Sequence, residues 1–204
     1  MGIKVAKFGG SSVADAIQIN KIKNIVKNDR DIHYVVVSAP GKRYADDSKM
    51  TDLLYLCKTH IEHKIPYEQI FQVIYDRFMA VEADLGVDID IRGELKTIKH
   101  DIEEGASAEY IASRGEYLNA KMIAAFLGFD FIDAKDVIKF NEKGRLLDDM
   151  TNDLLAGALA AHDYAVIPGF YGEKLEDGSV RTFSRGGSDI TGALIARAAG
   201  AEIY

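Results

Sequence analysis

Ile3-Lys4-Val5-Ala6-Lys7-Phe8-Gly9-Gly10-Ser11-Ser12 is where reading of this chain begins. Ile3, Val5, Ala6 and Phe8 make its first half a short buried strand, which breaks at two glycines and two serines. From Val13 onward, Val13, Ile17, Ile22, Ile25 and Val26 fall mostly at helical spacing. The expected order is strand, Gly-Gly-Ser-Ser loop, helix. That order suits an anion: glycine lets the backbone fold tightly enough to aim several N–H groups at one point. A helix start adds roughly half a positive charge, and Lys7 at the strand end brings an ammonium within reach. The same order opens many doubly wound α/β proteins, where glycines serve only the turn. Neither Gly-x-Gly-x-x-Gly nor Gly-x-x-x-x-Gly-Lys-Ser/Thr is present, so both readings stay open on spacing alone.

Bulk composition narrows the field. The chain has 204 residues, enough for one domain with a sizeable core. Its net charge of −7, without a basic cluster, argues against nucleic acid or anionic membrane as main partner. No apolar run approaches the ~20 residues a membrane helix needs, and the N-terminus lacks the apolar segment of a signal peptide. The single cysteine, Cys57, rules out an internal disulfide and reads as a small buried helical residue. A cytoplasmic protein is the default.

Outward from the first loop, Ile32-His33-Tyr34-Val35-Val36-Val37 is a nearly continuous apolar run, as expected of a parallel strand covered on both faces. It ends in Ser38-Ala39-Pro40-Gly41. The charged stretch from Gly41 to Met50 reads as a mobile surface loop with solvent-facing charges. Ser48 or Thr51 is expected to cap the next helix, and Pro66 to sit in the first turn of the one after it. Helical spacing continues through Val81 and Leu85, through 88–104 and through 108–127, making a helical insertion between strands. Strands are expected at 128–133, at 137–140 and at 164–170, with a helix over 148–161. Glu176-Asp177-Gly178-Ser179 is a hairpin turn signal. Ser184-Arg185-Gly186-Gly187-Ser188-Asp189 repeats the Gly-Gly-Ser theme and opens a helix, with Ser188 or Asp189 as its cap. Two such loops could present two clusters of N–H groups to one phosphorylated ligand. Glu202-Ile203-Tyr204 reads as the start of another strand, so the natural protein is expected to continue.

Four motifs, in order, resemble aspartate kinases. Lys7-Phe8-Gly9-Gly10-Ser11-Ser12-Val13 is similar to their opening motif. Ser113-Arg114-Gly115-Glu116 is similar to Ser-x-Gly-Glu. Pro168-Gly169-Phe170 and Arg185-Gly186-Gly187-Ser188-Asp189 are similar to two later segments. Ser184 departs from the family's usual glycine, which stiffens that loop.

The resemblance implies the amino acid kinase fold, a three-layer α/β/α arrangement with a mainly parallel central sheet between helices. It implies one catalytic domain over 1–204, stopping before a Thr-Asp-x-Asp-Gly nucleotide segment and any ACT domains. The implied reaction is phosphoryl transfer from Mg-ATP to the side-chain carboxylate of L-aspartate. Lys7 is the expected catalytic cation, with Asp189 orienting it or capping the helix. Gly9, Gly10 and Ser11 would cradle phosphate. Arg185 would pair with the substrate α-carboxylate and Glu116 with its α-ammonium, while Ser38, Thr51 and Ser188 give secondary contacts. Without the family match, Glu116 reads as a solvated helix glutamate. No protein metal ligand is expected, Mg²⁺ riding on the phosphates, and a homodimer is compatible. Rival readings are a sister kinase for acetylglutamate, glutamate or a nucleoside monophosphate, and an aspartate-binding module without turnover.

Overall fold

The computed structural model describes residues 2–204. Its central sheet is built from β1 (Lys4–Phe8), β2 (Ile32–Val37), β5 (Ala165–Pro168) and β3 (Asp130–Phe131), in that spatial order and parallel throughout. Past β1, Ile203 forms a further parallel bridge with Lys4, and its carbonyl accepts from Val5 N–H at 3.0 Å. The residues after Gly200 thus run as a strand does, beside β1.

Alternation along the strands sorts the helices into layers. Tyr34, Val36, Ala165 and Ile167 face one core, shared with Leu155 and Leu159 of α7 (Asp148–Ala160) and Leu194 and Ile195 of α8 (Gly187–Ala198). Val35, Val37 and Val166 face the other, shared with Ile19, Ile22 and Val26 of α1 (Ala16–Asn28) and Ala120, Ile123 and Ala124 of α5 (Ala108–Leu127). The result is the three-layer α/β/α sandwich.

Between β2 and β3 the chain makes α2 (Met50–Glu62), α3 (Glu68–Leu85), α4 (Ile91–Glu103) and α5. They enclose a third core around Leu54, Ile74, Phe78, Leu95 and Ile98. Cys57 is buried in it, and burial pushes its thiol up to about 12. Val73, which shares the apolar pattern of α3, faces solvent. A small second sheet joins β4 (Lys139–Phe140), β6 (Tyr171–Lys174) and β7 (Val180–Thr182); β6 and β7 form the antiparallel hairpin that the Glu176–Ser179 turn implied.

Several local expectations change. The Gly-Gly-Ser-Ser loop does not open a helix: Gly10–Val13 is one 3₁₀ turn, and α1 begins only at Ala16, where the Asp15 side chain accepts from Gln18 N–H at 2.9 Å. Asp15 is the cap of α1 because its carboxylate reaches that N–H. The α2 cap position is Lys49 and makes no side-chain cap bond; Thr51 lies inside the first turn. Pro66 precedes α3 instead of entering it. The α8 cap is Gly186 at φ +58°, not Ser188 or Asp189. The expected strand at 137–140 shortens to β4, because Asp133 caps a turn of helix, α6 (Ala134–Val137), that takes in Val137. The strand at 128–133 shortens to β3, since Gly128 ends α5 in the left-handed conformation.

The loop at 41–49 is held, not mobile. Arg77 of α3, only 6% exposed, donates to Gly41 O at 2.8 Å and Ser48 O at 2.6 Å, near both loop ends. Asp47, 8% exposed, lies 3.7 Å from Arg77 and accepts from Arg43 Nε at 2.7 Å. These cations hold its carboxyl well below the usual range, the Arg43 hydrogen bond most of all. The signal for this was an arginine between Ile74 and Phe78, inside an apolar helix face.

Candidate active site

Parallel strands leave a crevice beyond their carboxyl ends, and the chain's motifs meet there. Ser12 N–H donates to Gly9 O at 2.9 Å, closing the turn after β1. The leading N–H groups of such a turn have no partner within it. The loops after β1 and β2 interlock: Gly41 N–H donates to Gly10 O at 2.9 Å, and a Cβ on Gly41 would stand 2.7 Å from the Gly10 carbonyl carbon. Glycine is therefore required where the two loops cross.

Glu116 reaches the crevice from below. Gly115 makes this possible, since a Cβ there would sit 2.8 Å from Ala39 Cβ and hold α5 away. Glu116 is 6% exposed, and its Oε2 has no hydrogen-bond partner. Burial pushes its carboxyl up to about 8, against weaker opposing pulls from the Ala39 N–H and the Arg114 charge. It is not a solvated helix glutamate. Asn119, one turn on, donates from Nδ2 to Ser38 O at 2.8 Å and fixes the β2 loop over the helix.

One cavity of about 420 Å³ is lined by Gly10, Ser11, Ser38, Thr51 and Glu116, with Lys42 and Lys49 at its rim. Five of the residues singled out in the sequence thus share one space. Lys7 stands beside it: its Nζ would lie 3.7 Å from a Cβ on Gly9, and it pairs with Asp189 Oδ1 at 2.7 Å. Ser188 is tied in through Ser38 Oγ, which donates to Ser188 Oγ at 3.0 Å. Arg185 is exposed and makes no ion pair among the described residues. Lys42 and Lys49 were absent from the sequence-based site. The buried grip of Arg77 on their loop, with the Arg43–Asp47 pair and the Gly41–Gly10 hydrogen bond, places them there.

A parallel α/β/α sandwich with a glycine-lined crevice at its carboxyl edge defines the class. The chain belongs to the amino acid kinase family, which it matches over residues 2–204. Aspartokinase 3 of Bacillus subtilis is 38% identical, aligned over 99% of this chain and 47% of that protein. The crystal structure of Clostridium acetobutylicum aspartate kinase superposes with a TM-score of 0.97 at 44% identity, over 100% of this chain and 47% of that one. Escherichia coli aspartokinase III in complex with aspartate and ADP superposes with a TM-score of 0.80 at 26% identity, over 99% and 48%. The chain spans about half the length of the curated relatives it matches.

Proposed function

We propose that this chain is the catalytic part of an aspartate kinase. It transfers the γ-phosphoryl group of ATP to the side-chain carboxylate of L-aspartate, giving 4-phospho-L-aspartate on the route to lysine, threonine and methionine. The observation that carries the reading is the buried Glu116 carboxyl, whose Oε2 has no hydrogen-bond partner, in the same cavity as the Gly10–Ser11 turn. A buried carboxylate oxygen without a partner is costly unless a cation arrives. An amino acid's ammonium is such a cation, and it would arrive beside a loop suited to phosphate. The aspartate kinases among the relatives supply the choice of amino acid.

The acceptor carboxylate, with an ordinary pKa of ~3.9, is already ionised, so no general base is needed. The task is to hold two anions in line while charge is neutralised. Lys7 contacts the transferring phosphoryl group, and Asp189 orients Lys7. Gly9, Gly10 and Ser11 aim N–H groups at the phosphates. Their unpartnered N–H groups and the Lys7 ammonium fit a polyphosphate, while Mg²⁺ would enter on the phosphate oxygens and neutralise part of their charge. Glu116 receives the α-ammonium, Ser38, Thr51 and Ser188 line the acceptor side, and Arg185 takes the α-carboxylate in its planar fork. Because ATP is the donor, the cytoplasm is the compartment we assign, and a homodimer is compatible with the reading.

Calorimetric titration with L-aspartate, beside L-glutamate and N-acetyl-L-glutamate, tests the reading. Saturable binding of aspartate alone supports it, with Arg185→Ala weakening that binding by about tenfold or more. Preference for another acid points to a sister kinase. Aspartate binding without phosphoryl transfer from Mg-ATP in the whole protein leaves only a binding module.

A further inference from the structure

Arg114 and Glu116 stand two positions apart on α5, which places them on roughly opposite faces, and they line different cavities. The cavity that Arg114 lines is the larger, about 570 Å³. It lies between the α4–α5 connection, the start of α5, Lys135 of α6 and the β6–β7 turn. Its walls are fixed. Glu109 of α5 accepts from Thr182 N–H at 3.1 Å and from Arg181 Nη1 at 3.1 Å, pinning the hairpin to the helix. Ser107 caps α5 by accepting from Tyr110 N–H at 3.1 Å.

Arg114 is 7% exposed, yet no carboxylate pairs with it among the described residues. Its Nε and Nη2 donate to Ser113 Oγ at 3.1 and 2.9 Å, leaving Nη1 without a protein acceptor. The guanidinium is stacked 4.4 Å from the Tyr110 ring and 4.5 Å from the Tyr117 ring. Aromatic faces soften the burial of this cation but do not satisfy its remaining N–H groups. Lys135, which also stands 3.7 Å from Glu173, is a second cation of the lining, and Asp101 and Glu104 are its acids, Asp101 accepting from the Tyr110 hydroxyl. Ala106, Tyr110 and Val180 supply apolar surface to the same lining.

We propose that this cavity is a second ligand site, separate from the Glu116 crevice, for a free α-amino acid with an apolar side chain. Its carboxylate meets the Arg114 fork and Lys135, its ammonium meets Asp101 and Glu104, and its side chain covers Tyr110 and Val180. The acids of the lining disfavour inorganic phosphate, which carries no ammonium to answer them. This site does not depend on which acceptor the Glu116 crevice takes.

Heteronuclear NMR of the whole chain tests the proposal with L-leucine, 4-methylpentanoate (no ammonium), 3-methylbutylamine (no carboxylate) and inorganic phosphate. L-Leucine should saturably move the amide signals of Gly105, Ser107, Gly178 and Ser179, and bind tighter than either single-charge analogue by about tenfold or more. Arg114→Gln should weaken it by a similar factor. Because Arg114 packs among aromatic rings, Lys135→Met and Asp101→Asn serve as second variants, each weakening leucine several-fold. No movement of these four amides, phosphate binding in place of leucine, or unchanged affinity in the Lys135 and Asp101 variants would overturn the assignment.

Discussion

The Lys7 ammonium and the Asp189 carboxylate stand 2.7 Å apart, joining the end of β1 to the first turn of α8. This contact links the two Gly-Gly-Ser loops, which are separated by most of the chain. Asp189 is exposed, and exposed pairs are worth roughly 0–1 kcal/mol. The pair therefore adds little stability, and in the role proposed for Lys7 it would aim the ammonium and yield its place to an incoming phosphate.

Lys7→Ala should lower turnover by about 10²–10³-fold, the usual cost of removing one donor aimed at developing charge. Aspartate affinity should change little, because the acceptor side of the crevice is built by other residues. Asp189→Asn should cost less. An ADP-release assay beside calorimetry separates the effects; equal loss of turnover and aspartate affinity after Lys7→Ala would refute the division of roles.

Glu116 should make stability and binding depend on pH in opposite directions. Its carboxyl is raised from 4.5 to about 8, so the fold favours the protonated form. The associated stability is fully present below 4.5 and is lost as pH rises to about 8. Unfolding free energies from urea titrations should fall across that window by about a few kcal/mol, and Glu116→Gln should flatten the profile. An ammonium ligand needs the ionised form, so aspartate binding should release a proton near neutrality and tighten toward pH 8. Calorimetry in buffers of different ionisation heat counts that proton.

Arg77→Ala should cost about 3–5 kcal/mol, because it leaves Asp47 buried without its inner cation and frees two carbonyls. The loop at 41–49 should then open. Amide exchange at Asp47 and Met50, whose N–H groups donate to Tyr44 O and Pro40 O, should accelerate beyond the global change. Unaltered exchange there would mean the loop holds itself.

Gly115→Ala should destabilise by about 1–3 kcal/mol through overpacking against Ala39. Moving α5 away from the β2 loop also draws Glu116 back from the crevice. Aspartate affinity should fall even where the variant is fully folded, as judged by near-ultraviolet circular dichroism.

Much of the fold was legible because its signals are local. The apolar run in 32–37 marked a doubly covered strand, the run in 164–170 a second strand that narrows to Ala165–Pro168, and helical spacing marked the insertion α2–α5. The hairpin at 171–182 followed from its turn residues. Boundaries failed where a local rule competed with a neighbour. Asp15 delayed the start of α1 beyond the glycine loop, Gly186 took the cap expected of Ser188 or Asp189, and Asp133 drew Val137 into a helical turn.

By itself the sequence determined which residue types stand at the crevice: glycines where backbones must cross, Lys7 at a strand end, and Glu116 one position after a helical glycine. It did so because strand, turn and helix signals act over a few residues. Only the tertiary structure decided the environment of each charge. Glu116 looks like an ordinary helix charge in sequence and Arg77 is marked only by its place inside an apolar helix face, yet packing from distant elements strips water from both. That desolvation leaves Glu116 awaiting a cation and makes Arg77 the clasp of a loop. Arg114, its neighbour on α5, is left charged and without a counter-ion beside a second cavity. Burial is a sum over many distant neighbours, and no window of sequence contains it.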